Sequence, residues 1–426
     1  MAAPIRTFAP LLGLVAILPI LPQAASAQPA LAREAGERSP AERLDRGAVA
    51  VPAQTSGILV DWRLLASDPK DARFRVLRDG KPVHVTRPGA ATAFVDGKGT
   101  PQSAYAVERI GDRAGPQPAM SWPGGYLSIP LVPPADGVTP AGEAYSYTAN
   151  DAGAGDLDGD GQYEIVLKWD PTNSHDNAHT GYTGQVFLDA YKLDGTRLWR
   201  IDLGRNIRAG AHYTQFLVFD FDGDGRAEVA MKTADGTVDG TGKVIGDPAA
   251  DWRSRGGEVP QQDRTGAKVL ADGTKVAPMQ GRIVAGPEYL TVFEGLTGKA
   301  LATAPYDPPR YPGGNPTPEQ LAAAWGDGYA NRSDRYLAGV AYLDGRLPSM
   351  VFGRGYYART AVAAWDWRGG KLTERWLFDS SSPGNGDYAG RGNHQLSVAD
   401  VDGDGRDEVI YGSMALLSLI HISEPT

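Results

Sequence analysis

The chain has 426 residues, enough for two to four domains, with 42 Lys and Arg against 51 Asp and Glu and a formal charge of −9. That balance excludes the broad basic face that nucleic acid requires, and the absence of cysteine excludes disulfide frameworks, zinc–thiolate sites and cysteine nucleophiles. With 54 Gly, 32 Pro, 18 Tyr and 9 Trp, the composition suits many short strands joined by tight turns rather than a helical bundle.

In chain order, Arg6, the apolar run "LLGLVAILPILP" (11–22) and "ASA" (25–27) have the form of an export leader, cut before Gln28. The run is too short to span a bilayer, so a secreted or periplasmic location with no membrane anchor is expected. Residues 28–45 carry no core pattern and read as a linker. Alternating runs follow: "GILVDWRLL" (57–65), "FRVLRDGKPV" (74–83), "TAFVDGKG" (92–99) and "SAYAVERI" (103–110), with Asp79-Gly80 and Asp96-Gly97 as turn signals between them. They predict a small fibronectin-like β-sandwich over 46–135, with Trp62 in its core. "LVPPADGVTPAGEAYSYT" (131–148) reads as a Pro-rich crossing.

From 145 onward a unit repeats. "DLDGDGQYE" (156–164) returns as "DFDGDGRAE" (220–228) and "DVDGDGRDE" (400–408), each followed by a strand: "IVLKW", "VAMKT" and "VIYGS". A degenerate copy, "YLDGRLPSMVFG" (342–353), keeps the strand but only Asp344 of the acidic set. Strand–turn–strand units at 187–203, 289–304 and 360–378 complete three of the copies. One strand and a hairpin at this spacing predict β-propeller blades. Residues 242–280 read as a long insertion within one blade, and 308–320 as a second loop.

Each loop sets carboxylates at positions 1, 3, 5 and 9, with Gly at 4 and 6. Calcium takes six to eight hard oxygen ligands, and glycine permits the tight curl that brings alternate Asp side chains to one point. The predicted Ca²⁺ ligands are Asp156, Asp158, Asp160 and Glu164; Asp220, Asp222, Asp224 and Glu228; and Asp400, Asp402, Asp404 and Glu408. The backbone carbonyls of Gln162, Arg226 and Arg406 are expected to add an oxygen each. The expected role is to pin the blades.

Six residues before the first Asp of each loop stand Asn150 (followed by Asp151), Thr214 (beside His212 and Tyr213) and His394. In equivalent blades these positions converge at the mouth of the central channel, where propellers place their sites. Two of the chain's six His lie in this register.

"YTANDAGAGDLDGDGQYEIVLKWDPTNSHDN", "LDAYKLDGTRLWRIDLGRNIRAGAHYTQF", "VAMKTADGTVDGTGKVIG", "LAGVAYLDG", "RGYYART" and "GNHQLSVADVDGDG" resemble the rhamnogalacturonan lyases of polysaccharide lyase family 11, over about 45–416. The resemblance implies an all-β enzyme, an N-terminal sandwich on a calcium-binding propeller of eight blades, incomplete here. It implies Ca²⁺-dependent β-elimination in the rhamnose–galacturonate backbone of pectin (rhamnogalacturonan I), by a chain that is monomeric at full length. Asn150, Asp151 and His394 then resemble ligands or neighbours of an active-site metal, with proton transfer as the alternative for His394. Arg354, Tyr356 and Tyr357 are placed either against sugar or in a structural role.

The propeller lyase domain is expected over 145–416. The pattern stops at Leu416, and 417–426 ("LSLIHISEPT") is expected to be a non-native tail on a truncated chain, the family's remaining catalytic groups lying beyond it. The competing reading is a non-catalytic calcium propeller for adhesion or carbohydrate binding. A hydrolase with paired carboxylates is weaker, because the regularly placed carboxylates are committed to calcium.

Overall fold

The structure, a computed structural model, describes residues 43–261 and 267–418 and the backbone of 422–423. The expected leader and most of the linker lie outside the described residues.

The N-terminal region is two four-stranded sheets. β1 (Val49–Pro52), β2 (Ile58–Asp61), β3 (Phe74–Arg78), β4 (Lys81–Val85), β5 (Ala93–Asp96), β6 (Tyr105–Arg109), β7 (Gln117–Pro118) and β8 (Met120–Ser121) sort into the orders β5-β2-β1-β8 and β4-β3-β6-β7. Alternate residues of both sheets, Ile58 and Val60 from one and Phe74, Val76, Tyr105 and Val107 from the other, enclose a single core with Trp62. Asp79 (φ 51°) and Gly80 (φ 75°) form the tight β3–β4 turn, a left-handed pair that closes a two-residue hairpin. Asp96-Gly97 does not close a hairpin: β5 and β6 lie in different sheets. There the buried Asp96 instead accepts from Lys98 N (3.0 Å) and the Tyr105 hydroxyl (3.0 Å). The strand β1 went unmarked in the sequence.

The Pro-rich crossing contains one small pair, β9 (Gly137–Val138) and β10 (Ala144–Tyr145). The first repeat then forms β11 (Tyr147–Gly155), β12 (Glu164–Pro171), β13 (Phe187–Tyr191) and β14 (Arg197–Asp202), in that order across the sheet. The second begins with β15 (Phe216–Phe219) and β16 (Glu228–Ala234). Its continuation is delayed: β17 (Thr237–Val238), just before the expected insertion, and β18 (Val244–Ile245), within it, extend the edge of the first sheet. β19 (Glu258–Pro260), β20 (Lys268–Val269) and β21 (Lys275–Pro278) make a separate three-stranded sheet. β22 (Glu288–Phe293) returns to pair with β16, and β23 (Ala300–Pro305) completes the order β15-β16-β22-β23.

The expected second loop is not all loop. Helix α1 (Pro318–Trp325) begins at its end and runs past it, capped by the Thr317 hydroxyl and the Gln320 amide in a reciprocal capping box and ended by left-handed Gly326. The third sheet is β24 (Tyr336–Ala341), β25 (Ser349–Arg354), β26 (Ala361–Arg368) and β27 (Lys371–Asp379). The fourth is β28 (Leu396–Ala399), β29 (Glu408–Tyr411) and β30 (Met414–Leu416). β31 (Ile422–Ser423) adds two rungs to β30, so part of the expected tail carries on the fourth sheet.

The sheets pack face to face in chain order, as propeller blades do. Val229 and Met231 join Val166, Leu188 and Ile201 of the first sheet in one core. Ala230 on the opposite face joins Leu290, Met350 and Phe352. Val351 and Val362 turn the other way, to Val409, Tyr411 and Leu416. A sheet covered on both faces needs apolar residues at consecutive positions, which is why "VAMKT" does not alternate. Strands β11, β15, β24 and β28 neighbour one another in that order and form the inner row.

Between the second and third sheets lies a buried ion cluster. Glu288 contacts Lys232 (3.1 Å), Arg310 (3.1 Å) and Arg354 (2.8 Å), and Arg310 reaches Asp334 (3.2 Å). Burial pushes the Glu288 carboxyl up, but the three cations outweigh it and hold the group well below the usual carboxylate range. Breaking such a cluster by removing one partner costs roughly 3–5 kcal/mol.

Candidate active site and metal loops

The acidic loops are the turns that join the first two strands of a sheet. In the first, Asp156 accepts from Gly159 N (2.7 Å) and Gly161 N (2.8 Å). Asp220 does the same with Gly223 N (2.7 Å) and Gly225 N (2.9 Å), and Asp400 with Gly403 N (2.8 Å) and Gly405 N (3.0 Å). Gly159 (φ 82°) and Gly161 (φ 89°) stand where an L side chain would be strained. The closing Glu is anchored alike in all three: Glu164, Glu228 and Glu408 accept from Leu157 N, Phe221 N and Val401 N at 2.9, 2.9 and 3.0 Å.

Convergence is narrower than the predicted four-carboxylate sets. In the first two loops the oxygens that gather within 4.8 Å belong to Asp156, Asp158 and Glu164, and to Asp220, Asp222 and Glu228. In the third they belong to Asp400, Asp402 and Asp404. The residues at position 7 donate backbone N–H to the fifth-position Asp, as Gln162 does to Asp160 at 2.8 Å, with Arg226 and Arg406 repeating the bond. Burial and the neighbouring Asp charges push Glu164 up to about 7 and Glu228 to about 8, and they also raise Glu408. All-oxygen, mutually repelling, partly desolvated sets fit a hard divalent cation.

Two of the four inter-strand loops are faced by cationic side chains from the hairpin that follows. In the first sheet, the Lys192 ammonium hydrogen-bonds Asp158 and lies 3.6 Å from Asp160 and 3.8 Å from Glu164. In the degenerate third sheet, Arg375 lies 3.3 Å from Asp344 and 3.0 Å from Asp366, with Arg368 3.9 Å from Asp344. A guanidinium cluster thus replaces the acidic set where the motif has decayed. The first loop also meets the N-terminal domain: Asp45 N donates to Gly161 O at 2.8 Å, and the Arg63 guanidinium sits 4.3 Å over the Tyr163 ring.

At the opposite ends of the sheets, the segments before β15 and β28 bring His212 and His394 together, with ring centroids 6.2 Å apart. The segment after β25 adds Tyr356 and Tyr357. The Tyr357 hydroxyl is 2.5 Å from His394 Nε2, and its ring is half exposed. Tyr356 is buried and packs on His394 at 4.9 Å, while its hydroxyl takes a hydrogen bond from Arg335. The Arg335 guanidinium lies 5.0 Å from each tyrosine ring. His212 Nε2 lies 3.5 Å from the Asp176 carboxylate. Burial, with Arg335 and His394 nearby, lowers the His212 pKa and favours the neutral imidazole.

Not every register position joins this group. Asn150 and Asp151 sit inside the long strand β11, at its bulge, and the exposed Asp151 pairs with the buried Lys168 at 2.7 Å. Thr214 is buried, and its neighbour His212 faces the cluster instead. Arg354 is fully buried in the ion cluster and donates to Ser333 O and Pro308 O, so its role is structural. Sequence reasoning missed Arg335 and Asp176. The dense "NSHDN" run was a signal for Asp176, whereas nothing local distinguishes Arg335.

Face-packed sheets with carboxylate turns at one end and a His–Tyr–Arg cluster at the other define a β-propeller built around acidic loops. Residues 126–264 and 260–418 match the rhamnogalacturonan lyase family 11 C-terminal domain, and 39–120 match the β-sheet domain of rhamnogalacturonan I lyases. The chain belongs to rhamnogalacturonan lyase family 11. It is 53% identical over 378 residues to the rhamnogalacturonan exolyase YesX of Bacillus subtilis (strain 168), covering 88% of this chain and 56% of that protein. It is 51% identical over 405 residues to the rhamnogalacturonan endolyase YesW of the same organism, covering 94% and 59%. The crystal structure of exotype rhamnogalacturonan lyase YesX superposes with a TM-score of 0.79 at 51% identity, over 91% of this chain and 59% of that one. The chain therefore spans less than two thirds of the length of these relatives.

Proposed function

We propose that the chain is part of an exported lyase that cleaves the rhamnose–galacturonate backbone of pectin by β-elimination, with Ca²⁺ bound. The observation that carries this reading is the Tyr357–His394 hydrogen bond at the sheet ends opposite the acidic loops, with His212 alongside. Elimination needs a base for the proton next to the uronate carboxylate and a donor for the leaving oxygen. His212, favoured as the neutral imidazole, suits the first role, and the half-exposed Tyr357 hydroxyl suits the second. His394 holds and exchanges that hydroxyl proton. Arg335 stands behind both tyrosines and favours negative charge in front of them. Ca²⁺ held by Asp156, Asp158 and Glu164, and by their counterparts in the other two loops, would neutralise those carboxylates and pin the sheets that carry the cluster. Export rests on the leader at 1–27, and a monomer is the proposed state at full length.

Product mass tests the reaction class. Elimination leaves the fragment that carries the new non-reducing end lighter by one water than hydrolysis would. Fragments of hydrolytic mass, or an intact polymer, would contradict the proposal.

A further inference from the structure

A second concave site lies on the flank between the second and third sheets. It is a cleft of about 670 Å³, lined by the ends of β22 and β23, the 307–315 segment, Trp252 of the insertion, and Trp365 and Glu374 of the third sheet. The Tyr357–His394 pair is not among its lining residues.

Its main platform is Trp252. The indole N–H donates to Asp235 at 2.9 Å, and the ring lies flat on Gly286, where an added Cβ would stand 2.5 Å from the indole Cγ. The ring is half-buried, pinned at one edge and backed by a residue without a side chain. Tyr289 is fixed through the same carboxylate, its hydroxyl 3.0 Å from Asp235. Held aromatic rings of this kind offer a large flat area at little cost in side-chain entropy, which suits the apolar face of a pyranose.

The polar groups select the kind of sugar. Arg310 is the one Lys or Arg among the described lining residues, and it is committed to Glu288 and Asp334. The other acids on the wall are Asp307 and Glu374, and burial together with the neighbouring Asp307 pushes the Glu374 carboxyl up to about 7. An anionic sugar would meet their charge with no free cation on the wall to offset it. A neutral one brings hydroxyls that can donate to them.

We propose that the Trp252–Tyr289–Glu374 cleft is an accessory binding site for neutral saccharides, stacking a pyranose on Trp252 and donating its hydroxyls to Asp307 and Glu374. The site does not depend on the lyase reading, and its test uses the Ca²⁺-loaded chain with probes that lack the rhamnose–galacturonate bond, so cleavage plays no part.

Titration calorimetry of the chain with a neutral galactose tetrasaccharide and with a galacturonate tetrasaccharide tests it. The neutral probe is expected to bind, and Trp252→Ala to weaken it at least tenfold. Glu374→Ala serves as a second variant, should Trp252→Ala melt early, and is expected to weaken binding severalfold. Equal affinity of the neutral probe for wild type and both variants would overturn the proposal, as would no binding of it to wild type. Tighter Trp252-dependent binding of the galacturonate probe would overturn the charge argument.

Discussion

The Tyr357 hydroxyl and His394 Nε2 stand 2.5 Å apart, although 37 residues separate them in the chain. One follows β25 and the other precedes β28, so the contact exists only because the third and fourth sheets pack face to face. Replacing Tyr357 by Phe keeps the ring and removes the proton. General acid–base groups contribute about 10²–10⁴-fold, so turnover of rhamnogalacturonan should fall by at least about 100-fold while the melting temperature holds. Equal turnover in the variant would remove Tyr357 from the chemistry.

His212 sets a pH limit. Burial, Arg335 and His394 hold its pKa below 6.5. The folded chain therefore binds fewer protons here than the unfolded chain as pH falls past 6.5, and stability from this group is lost on acidification. Activity should follow the neutral imidazole, with an acid limb lying below pH 6.5 that His212→Gln abolishes along with most of the rate. A pH–rate profile of wild type and variant checks both.

The acidic loops have the opposite sign. Glu228, pushed up to about 8, and Glu164, to about 7, are protonated more readily in the folded chain than in the unfolded one. Without metal, stability from these groups is fully present below about pH 4.5 and lost as pH rises through 7 and 8. Under the proposed function, Ca²⁺ would take the place of those protons. Melting curves in EDTA should therefore fall between pH 6 and 8.5, and added Ca²⁺ should restore most at the alkaline end. At 100 times its dissociation constant, a single site contributes about 2.7 kcal/mol.

The two buried loops should differ in affinity. Lys192 already stands against the first set of carboxylates, while Glu294 is the residue that follows the matching strand in the second sheet. Lys192→Met removes a like charge next to the incoming cation, and Ca²⁺ should bind the first loop about tenfold more tightly. Calorimetry with the second and third loops disabled by Asp220→Asn and Asp400→Asn isolates the change.

Much of this was legible in the sequence for a specific reason. An Asp-Gly turn that must curl around its own carboxylate tolerates few substitutions, so the loops announced themselves, and the strands of the three hairpins followed from their spacing. The degenerate copy was legible as a strand, but not its chemistry. Asp344 is served by Arg368 and Arg375 from a hairpin some thirty residues on, a pairing that only the fold brings about. Arg335 stayed hidden for the same reason: its meaning lies in Tyr356 and Tyr357, across the end of another strand. Asn150 and Asp151 fitted the register argument, yet the bulge in β11 turns Asp151 to Lys168. Helix α1 was missed inside a Pro- and Gly-rich stretch, although Thr317 and Gln320 spell a capping box.

The central claim is elimination at the His212–Tyr357–His394 cluster, with calcium bound. The most direct measurement follows the absorbance of the unsaturated uronate product while the chain acts on rhamnogalacturonan, first with Ca²⁺ and then after chelation. Absorbance that rises with Ca²⁺, stops on chelation and returns when Ca²⁺ is restored is the predicted result. A folded, Ca²⁺-loaded chain that binds the polymer without generating the chromophore would contradict the account and leave a binding propeller in its place.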